Sequence, residues 1–386
     1  MSERSDISSI LKSPFIFENW RARDNAKMPT ATYEFELLSD AAFVGETTFG
    51  PYRLINTVAH ASGDPDGRSL APVIVLRVDQ YIEYSVPDMT QTDQTIYHGG
   101  SLVDEVAAVL SIWTGARVIA GGMTREFRPH DRDEKGRPLA HNGFGQPPSF
   151  SRKARASHIP SAVQVHSINQ MEGFCSTSLV DPANEVALIR AARMYQEGLW
   201  IAESEPALSW LLFVSAAEVI AGRWDQKRAA PIDSLKASKP NLVKKVEMLC
   251  PDLVPFLADE LAEISGATRK FVNFLLRFKP DAPAVRPPVY SQVNWEPKKL
   301  KSAFQQVYGY RSKALHAGIP FPAPMCSLPL RFPDEAPGFT EKPFGLAQSR
   351  AGGVWLEKDL PMLLHTFEYI LRNSVIAWWK ELTRSD

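Results

Sequence analysis

Residues 308–318 read Tyr-Gly-Tyr-Arg-Ser-Lys-Ala-Leu-His-Ala-Gly, which places an arginine where helical periodicity predicts an apolar position. The residues that precede Arg311 in steps of three and four are apolar: Val307, Phe304 and Leu300. They form one stripe of a helix that begins near Pro297. Burying an unpaired guanidinium on that stripe would be very costly, so the sequence predicts a partner for Arg311.

Glu218 is the natural partner for this arginine. It is the only charged residue between Ala207 and Gly222, in a segment that otherwise predicts an apolar helix. Each charge is anomalous on its own apolar face, and pairing offsets much of the desolvation that either would suffer alone. A purely structural salt bridge is one interpretation of such a pair.

His316 follows Arg311 by five residues and is the second candidate for chemistry. On an ideal helix it lies about 140° around the axis from Arg311, so the two do not share a face. Ser312 lies one turn before His316 and gives that flank a polar strip. Gly318 is an ordinary helix stop, so a histidine that caps the last carbonyls is the alternative.

Composition favours an ordinary globular protein. The 386 residues predict about two domains, with 44% hydrophobic and 23% charged residues. The polar N-terminus does not look like a secretory signal, and no apolar run approaches the ~18 residues of a membrane span. We therefore expect a cytoplasmic protein that does not enter a membrane. The three cysteines are far apart and predict neither a disulfide nor a zinc site, and no metal or cofactor is expected.

The first part of the chain predicts a strand-rich mixed domain. Strands dominate from about Tyr33 to Arg128. A strand spans Pro72–Val86, a helix spans Leu102–Trp113, and a short strand spans Arg117–Ala120. Residues 129–161 are rich in proline, glycine, arginine and histidine, and we interpret them as a long loop or linker. The predicted N-terminal domain is therefore 1–160, of unknown role.

The remainder predicts a helical bundle over residues 181–386, so the fold class is α+β. Helices are predicted at Glu185–Ala202, 206–222, Asn241–Leu249, Asp252–Phe278, Pro297–Ala317 and Asp359–Leu382. Proline-rich connections interrupt them at Lys279–Pro297 and Ile319–Gly345. The second connection starts shortly after His316 and could form a rim over it.

A net charge of −1 gives no global attraction to nucleic acid, so any polyanion has to bind locally. The basic clusters are Arg152, Lys153, Arg155; Lys236, Lys239, Lys244, Lys245; and Lys298, Lys299, Lys301. Such runs are usually solvated faces. The last cluster shares a helix with Arg311, and together with Lys313 it is the predicted RNA-binding set.

Arg311 to His316 matches the Arg-x4-His signature of HEPN domains. Together with the Glu218 helix, the motif resembles the Apea-like HEPN branch over roughly Asp181 to Leu382. Family members usually carry a polar residue after the arginine, and here it is Ser312. The resemblance implies metal-independent endoribonuclease activity and a homodimer that meets along the motif helices. A role as a toxin or anti-phage defence effector, regulated by a phage-derived or other ligand at the N-terminal domain, is also implied.

Residue roles follow from the resemblance and the chemistry it implies. His316 would act as acid or base, Arg311 would hold the scissile phosphate, Glu218 would orient Arg311, and Ser312 would position the imidazole or a phosphate oxygen. Two alternatives stay open. The bundle could be a non-catalytic module for RNA or nucleotide binding or for dimerisation. Alternatively, the charged pair is only structural and the N-terminal domain carries the function.

Overall fold

A computed structural model describes residues 12–26, 28–55, 57, 70–83, 88–129, 134–139, 156–175, 180–225, 231–332 and 336–384. The chain is a mixed α+β protein with a strand-rich N-terminal half and a helical C-terminal half. Its contacts divide it into unit 1, Met1–Ser209 with Trp378–Asp386, and unit 2, Trp210–Ala377. The predicted domain limits of 1–160 and 181–386 stay a prediction, and most of the predicted linker lies outside the described residues.

Unit 1 is built on an antiparallel sheet. Its elements in chain order are α1 (Phe15–Asn25), β1 (Ala31–Ser39), β2 (Ala42–Val44), β3 (Thr47–Phe49), β4 (Tyr52–Ile55), β5 (Ala71–Gln80), α2 (Leu102–Thr114), β6 (Ile119–Phe127), β7 (Arg137–Pro138), β8 (Val165–Ser167), α3 (Glu172–Cys175) and α4 (Pro182–Ile201). Six strands pair in the order β3-β4-β5-β1-β6-β7, and β2 pairs in parallel with β8. Leu37, Leu54 and Leu76 are fully buried on the sheet.

Local signals in the sequence account for α2. Ser101 and Asp104 form a capping box at its start, and Gly115 adopts a left-handed φ of 81° at its end. The predicted helix at Leu102–Trp113 and the core of the predicted strand at Pro72–Val86 are confirmed, although residues 84–87 lie outside the described part of the chain. The predicted short strand Arg117–Ala120 is wrong in extent, because pairing with β1 continues β6 from Ile119 to Phe127.

The sequence did not predict α1, because its N-terminus is capped by a distant residue. The backbone N–H of Ile16 donates to Glu105 Oε2 at 2.8 Å, across 89 positions of sequence. Burial raises the pKa of Glu105 to about 8, although hydrogen bonds from the first backbone amides of α1 act in the opposite direction. A capping partner so far away in sequence leaves no local signal.

A buried ionic cluster joins the start of β6 to the residues that follow α4. Arg117 is fully buried and contacts Asp40 Oδ2 at 2.7 Å and Glu203 Oε1 at 2.6 Å. Burial alone would raise the pKa of Glu203, but hydrogen bonds from His158 and Ser157 and the charge of Arg117 lower it to about 2. These partners offset the desolvation cost of the guanidinium.

Unit 2 is largely helical. Its elements in chain order are α5 (Pro206–Trp224, entering from unit 1), α6 (Pro231–Ser238), α7 (Pro240–Leu249), α8 (Leu253–Glu260), α9 (Ala262–Arg277), α10 (Pro297–Ala317), β9 (Arg331–Phe332), β10 (Ala336–Phe339), β11 (Ala347–Arg350), β12 (Gly353–Leu356) and α11 (Leu364–Leu382, ending in unit 1). The strands form two antiparallel pairs, β9 with β10 and β11 with β12. The predicted connection Ile319–Gly345 therefore contains the first of these pairs.

Aromatic side chains form the centre of the unit 2 core. The Trp210 ring of α5 lies 5.2 Å from Phe321 and 5.0 Å from Phe367 of α11, and Phe271 of α9 lies 5.2 Å from Tyr308 of α10. By length and composition α5 could cross a membrane, but buried core helices pass the same test, so this is weak evidence. The core holds α10 against α9, which positions the predicted site.

Two helix limits in unit 2 correct the predictions. The helix predicted over Asp252–Phe278 is wrong, because the chain turns at Leu261 and lets α8 join a small core with α6 and α7. The last helix begins at Leu364 and not at Asp359, since Pro361 disfavours helix before it and the Leu363 N–H donates to Glu341 O. By contrast, α10 has the predicted limits at both ends.

Candidate functional site

The site is carried by α10 and its buried face. Leu300, Phe304 and Val307 are fully buried, and Tyr308 is nearly so. Arg311 continues this face, with its side chain 20% exposed. The helix begins with Pro297 in its first turn and ends at Gly318, whose φ is +65°. The sequence therefore predicts both ends of α10 and the face that carries Arg311.

The predicted ion pair is present, because Arg311 Nη2 lies 2.6 Å from Glu218 Oε2. The Glu218 side chain is 18% exposed, so about four-fifths of each partner is buried. The Tyr308 hydroxyl donates to the second carboxylate oxygen, Oε1, at 2.8 Å. The Arg311 guanidinium carbon also lies 5.7 Å from the centre of the Tyr308 ring. Both carboxylate oxygens of Glu218 are thus engaged from α10.

Sequence reasoning missed Tyr308 as a member of this site. Its position three residues before Arg311, on the same face of the helix, was the available signal. An aromatic residue there reads as core, and the ring is indeed buried against Phe271. Its hydroxyl takes part in the polar group through Glu218, and that contact depends on the neighbouring helix α5.

Burial controls the titration of this group. Burial raises the pKa of Glu218, although the hydrogen bond from Tyr308 and the charge of Arg311 act in the opposite direction. Burial, together with the negative charge of Glu218, holds the pKa of Tyr308 well above its usual range, so its hydroxyl remains a donor. Arg311 Nε is buried and has no hydrogen-bond partner among the described residues. The guanidinium therefore keeps donor capacity that Glu218 does not use.

His316 lies outside this polar group within one chain. It is exposed, and its side chain makes no hydrogen bond or ion pair with any residue in the described ranges. It therefore caps none of the last carbonyls in the described residues, and the Lys313 carbonyl accepts instead from the backbone N–H groups of Gly318 and Ile319. Ser312 is half-buried between the two faces. The structure thus brings Glu218 and Arg311 together and leaves His316 available to another molecule.

The predicted RNA-binding lysines lie along the same helix. Lys298, Lys299 and Lys301 are exposed in the first turns of α10, and exposed Lys313 places its Nζ 5.6 Å from the Tyr310 ring. The Tyr310 hydroxyl in turn donates to Asp359 O at 2.6 Å. Of the other basic clusters, Arg152, Lys153 and Arg155 lie outside the described residues, and Lys236, Lys239, Lys244 and Lys245 belong to the region of α6 and α7.

No protein-family model, no curated protein and no solved structure matches this chain. The resemblance to HEPN domains therefore depends on the residues themselves: the Arg-x4-His spacing at the end of α10 and the isolated glutamate on α5. Within the described ranges, no group of three or more His, Cys, Asp or Glu side chains could hold a metal ion. The expectation of metal-independent chemistry stays a prediction.

Taken chemically, the site offers a partly buried cation next to an exposed imidazole on one helix. The guanidinium is held by Glu218, which limits the geometries that it can adopt. Since its side chain is 20% exposed, an anion can approach the guanidinium from that side. Histidine exchanges protons near neutral pH. Within the described residues the imidazole makes no contact with the guanidinium.

Proposed function

We propose that the C-terminal helical region is a HEPN-like bundle that cleaves RNA without a metal ion. The observation that supports this most directly is the presence, on one helix, of an orientated guanidinium and an exposed imidazole that has no partner among the described residues. An exposed histidine five residues beyond a fixed arginine suits a reaction on a phosphodiester.

The proposed reaction uses the RNA's own 2′-hydroxyl. One imidazole takes the 2′-hydroxyl proton, the 2′ oxygen bonds to phosphorus, and the bond from phosphorus to the 5′ oxygen breaks. A second imidazole, in its protonated form, gives its proton to the leaving 5′ oxygen. Arg311 stabilises the charge that builds up on the phosphate, and Ser312 positions the imidazole or a phosphate oxygen. The products are a 2′,3′-cyclic phosphate and a 5′-hydroxyl.

The need for two imidazoles implies a homodimer. Each chain has one His316, and a two-fold arrangement of the α10 helices would provide both an acid and a base in one cleft. The exposed apolar residues Leu315 and Ile319, at the same end of α10, support a contact there. The lysines of α10 and Lys313 would bind the RNA backbone.

The biological setting of this proposal rests on the resemblance alone. It is a cytoplasmic toxin or anti-phage defence effector whose N-terminal region responds to a phage-derived or other regulatory ligand. RNA cleavage chemistry does not specify whose RNA is cut or when, so the setting needs separate evidence.

A non-catalytic RNA-binding, nucleotide-binding or dimerisation module is the second candidate. One observation favours it: the charge of Arg311 is already matched by Glu218 at 2.6 Å, which weakens the attraction for a phosphate. Such a module would bind RNA through its lysines and would not cleave it.

One experiment separates the two candidates. Purified full-length protein is incubated with single-stranded RNA in the presence of a chelator, next to the His316→Ala variant, and the product ends are analysed. We expect the wild type to produce cyclic-phosphate ends and the variant to lose at least about 100-fold in rate, as for loss of a general acid or base. Retained cleavage in the variant would refute the assignment of His316. Binding without cleavage in both proteins would favour the second candidate.

A further inference from the structure

The helices α6, α7 and α8 have a small core of their own within unit 2. Its buried members are Leu235, Val243, Val254 and Ala258, and it is completed by partly buried neighbours. This core uses only one face of α7 and one face of α8. Three residues, Cys250–Asp252, join the two helices, which contact each other, and each helix has a face that this core does not cover.

Those outer faces expose large apolar side chains. Met248 and Leu249 are each 86% exposed and Phe256 is 60% exposed. We call this patch the α7–α8 surface, and its apolar members are Leu242, Met248, Leu249, Leu253 and Phe256. A cluster of this kind is unfavourable in water, and such clusters mark sites of association.

The charges on the two outer faces are of opposite sign, because the one acidic residue of α7, Glu247, pairs instead with Lys236 of α6 at 3.7 Å. On α7, Lys245 lies between Leu242 and Leu249 at helical spacing. On α8, Leu253 and Phe256 are followed at the same spacing by Glu260. Neighbouring Lys244 and Asp259 have the same signs as Lys245 and Glu260. None of these four side chains forms an ion pair with a residue in the described ranges.

We propose that the α7–α8 surface binds the same surface of a second copy of this chain. A two-fold axis parallel to the helices places α7 of one copy against α8 of the other, and each contact then occurs twice. With a rise of ~1.5 Å per residue, Lys245 lies about 6 Å from Leu249 along α7, and Glu260 lies about 10 Å from Leu253 along α8. Measured from the turn, the lysine therefore stands opposite the segment between Phe256 and Glu260, and its long side chain can reach the carboxylate.

Charge complementarity selects a second copy over other occupants. A basic partner would be repelled by Lys245 and an acidic partner by Glu260, whereas the same surface rotated by 180° pairs both charges. The apolar residues near the turn, Leu249 and Phe256, would then be covered in the same contact. This interface is separate from α10, so it does not depend on RNA cleavage or on the pairing of motif helices.

A charge-exchange experiment tests the proposal on the full-length protein. Association is measured by sedimentation at low salt for Lys245→Glu, Glu260→Lys and the double exchange, with Lys358→Glu as an exposed control on unit 2. We expect each single exchange to weaken self-association by roughly tenfold or more, and the double exchange to restore it. Phe256→Ser should weaken it as well, while circular dichroism remains unchanged.

Two results would overturn the proposal. One is a protein whose association state is the same for the wild type, both single exchanges and Phe256→Ser. The other combines two observations: the wild type binds anionic lipid vesicles through this surface, and the double exchange does not restore self-association. If α10 also joins two copies, the single exchanges abolish the contact through the α7–α8 surface and leave a dimer held by α10. The RNA cleavage assay reports on His316 independently of both outcomes.

Discussion

The contribution of the Glu218–Arg311 ion pair to stability can be measured as a change in the free energy of unfolding. The side chains are 18% and 20% exposed, with a 2.6 Å contact between them. Removing one partner of a fully buried pair costs about 3–5 kcal/mol, whereas exposed pairs contribute about 0–1 kcal/mol. Since about four-fifths of each side chain is buried, we expect Arg311→Met to cost about 3 kcal/mol and Glu218→Gln about 2 kcal/mol.

The double variant should cost less than the sum of the two single variants, because it leaves no uncompensated charge. We expect a coupling free energy of about 2 kcal/mol. The control is Tyr308→Phe, which removes the 2.8 Å hydrogen bond to Glu218 and leaves both charges in place. It should cost about 1.5–2 kcal/mol, as for a hydrogen bond to a charged group.

The assay is native-state hydrogen exchange of α5 and α10 in the full-length protein. It measures the opening free energy of unit 2 without requiring that the whole chain unfold in one step. A loss of about 3 kcal/mol corresponds to roughly 150-fold faster exchange of the most protected amides. A coupling below about 0.5 kcal/mol would refute the reasoning, because the two charges would then be independently solvated.

Two further predictions follow from single residues. Burial raises the pKa of Glu105 in the folded chain to about 8, from an ordinary value of 4.5. Between these two pH values the unfolded chain has lost a proton that the folded chain keeps. The free energy of unfolding therefore falls as the pH rises, by up to about 1.4 kcal/mol per pH unit. Glu105→Gln should remove that slope from the exchange of α1 and α2, and parallel pH profiles for wild type and variant would contradict the assignment. Gly318 has a φ of +65°, and a Cβ added there would meet no atom within 4 Å, so a steric clash is excluded. Gly318→Ala should therefore destabilise the end of α10 by about 1 kcal/mol through backbone strain alone. In contrast, Gly318→Asn should cost less, because asparagine tolerates this conformation, and equal exchange rates for the two variants would argue against strain as the cause.

The sequence predicted the fold correctly where neighbouring residues determine where an element begins and ends. Helix α2 is bounded by a capping serine and a left-handed glycine, and α10 by Pro297 and Gly318, so a few neighbouring residues determine each end. The pairing of Glu218 with Arg311 was also predictable, because each was an isolated charge on an apolar face and the cost of burying either alone is large.

The predictions failed where a partner distant in sequence decided the structure. The N-terminus of α1 is capped by Glu105, 89 residues away. The turn at Leu261 depends on the small core that α8 shares with α6 and α7. The start of α11 is fixed partly by a distant contact, the hydrogen bond from the Leu363 N–H to Glu341 O, although Pro361 was a local signal for it. Helical periodicity continues through all three positions, so periodicity alone does not show the break.

By itself, the sequence determined that Arg311 lies on the buried face of α10 and that His316 lies on another, since both follow from helical geometry at 100° per residue. The tertiary structure decided how that arginine is held. It placed α5 so that Glu218 accepts from both Arg311 and Tyr308, and it left His316 without a partner in the part of the chain that the structure describes. The physical reason is that periodicity specifies the direction of a side chain around its own helix, whereas its contacts depend on which neighbouring helix the packed core brings to that face.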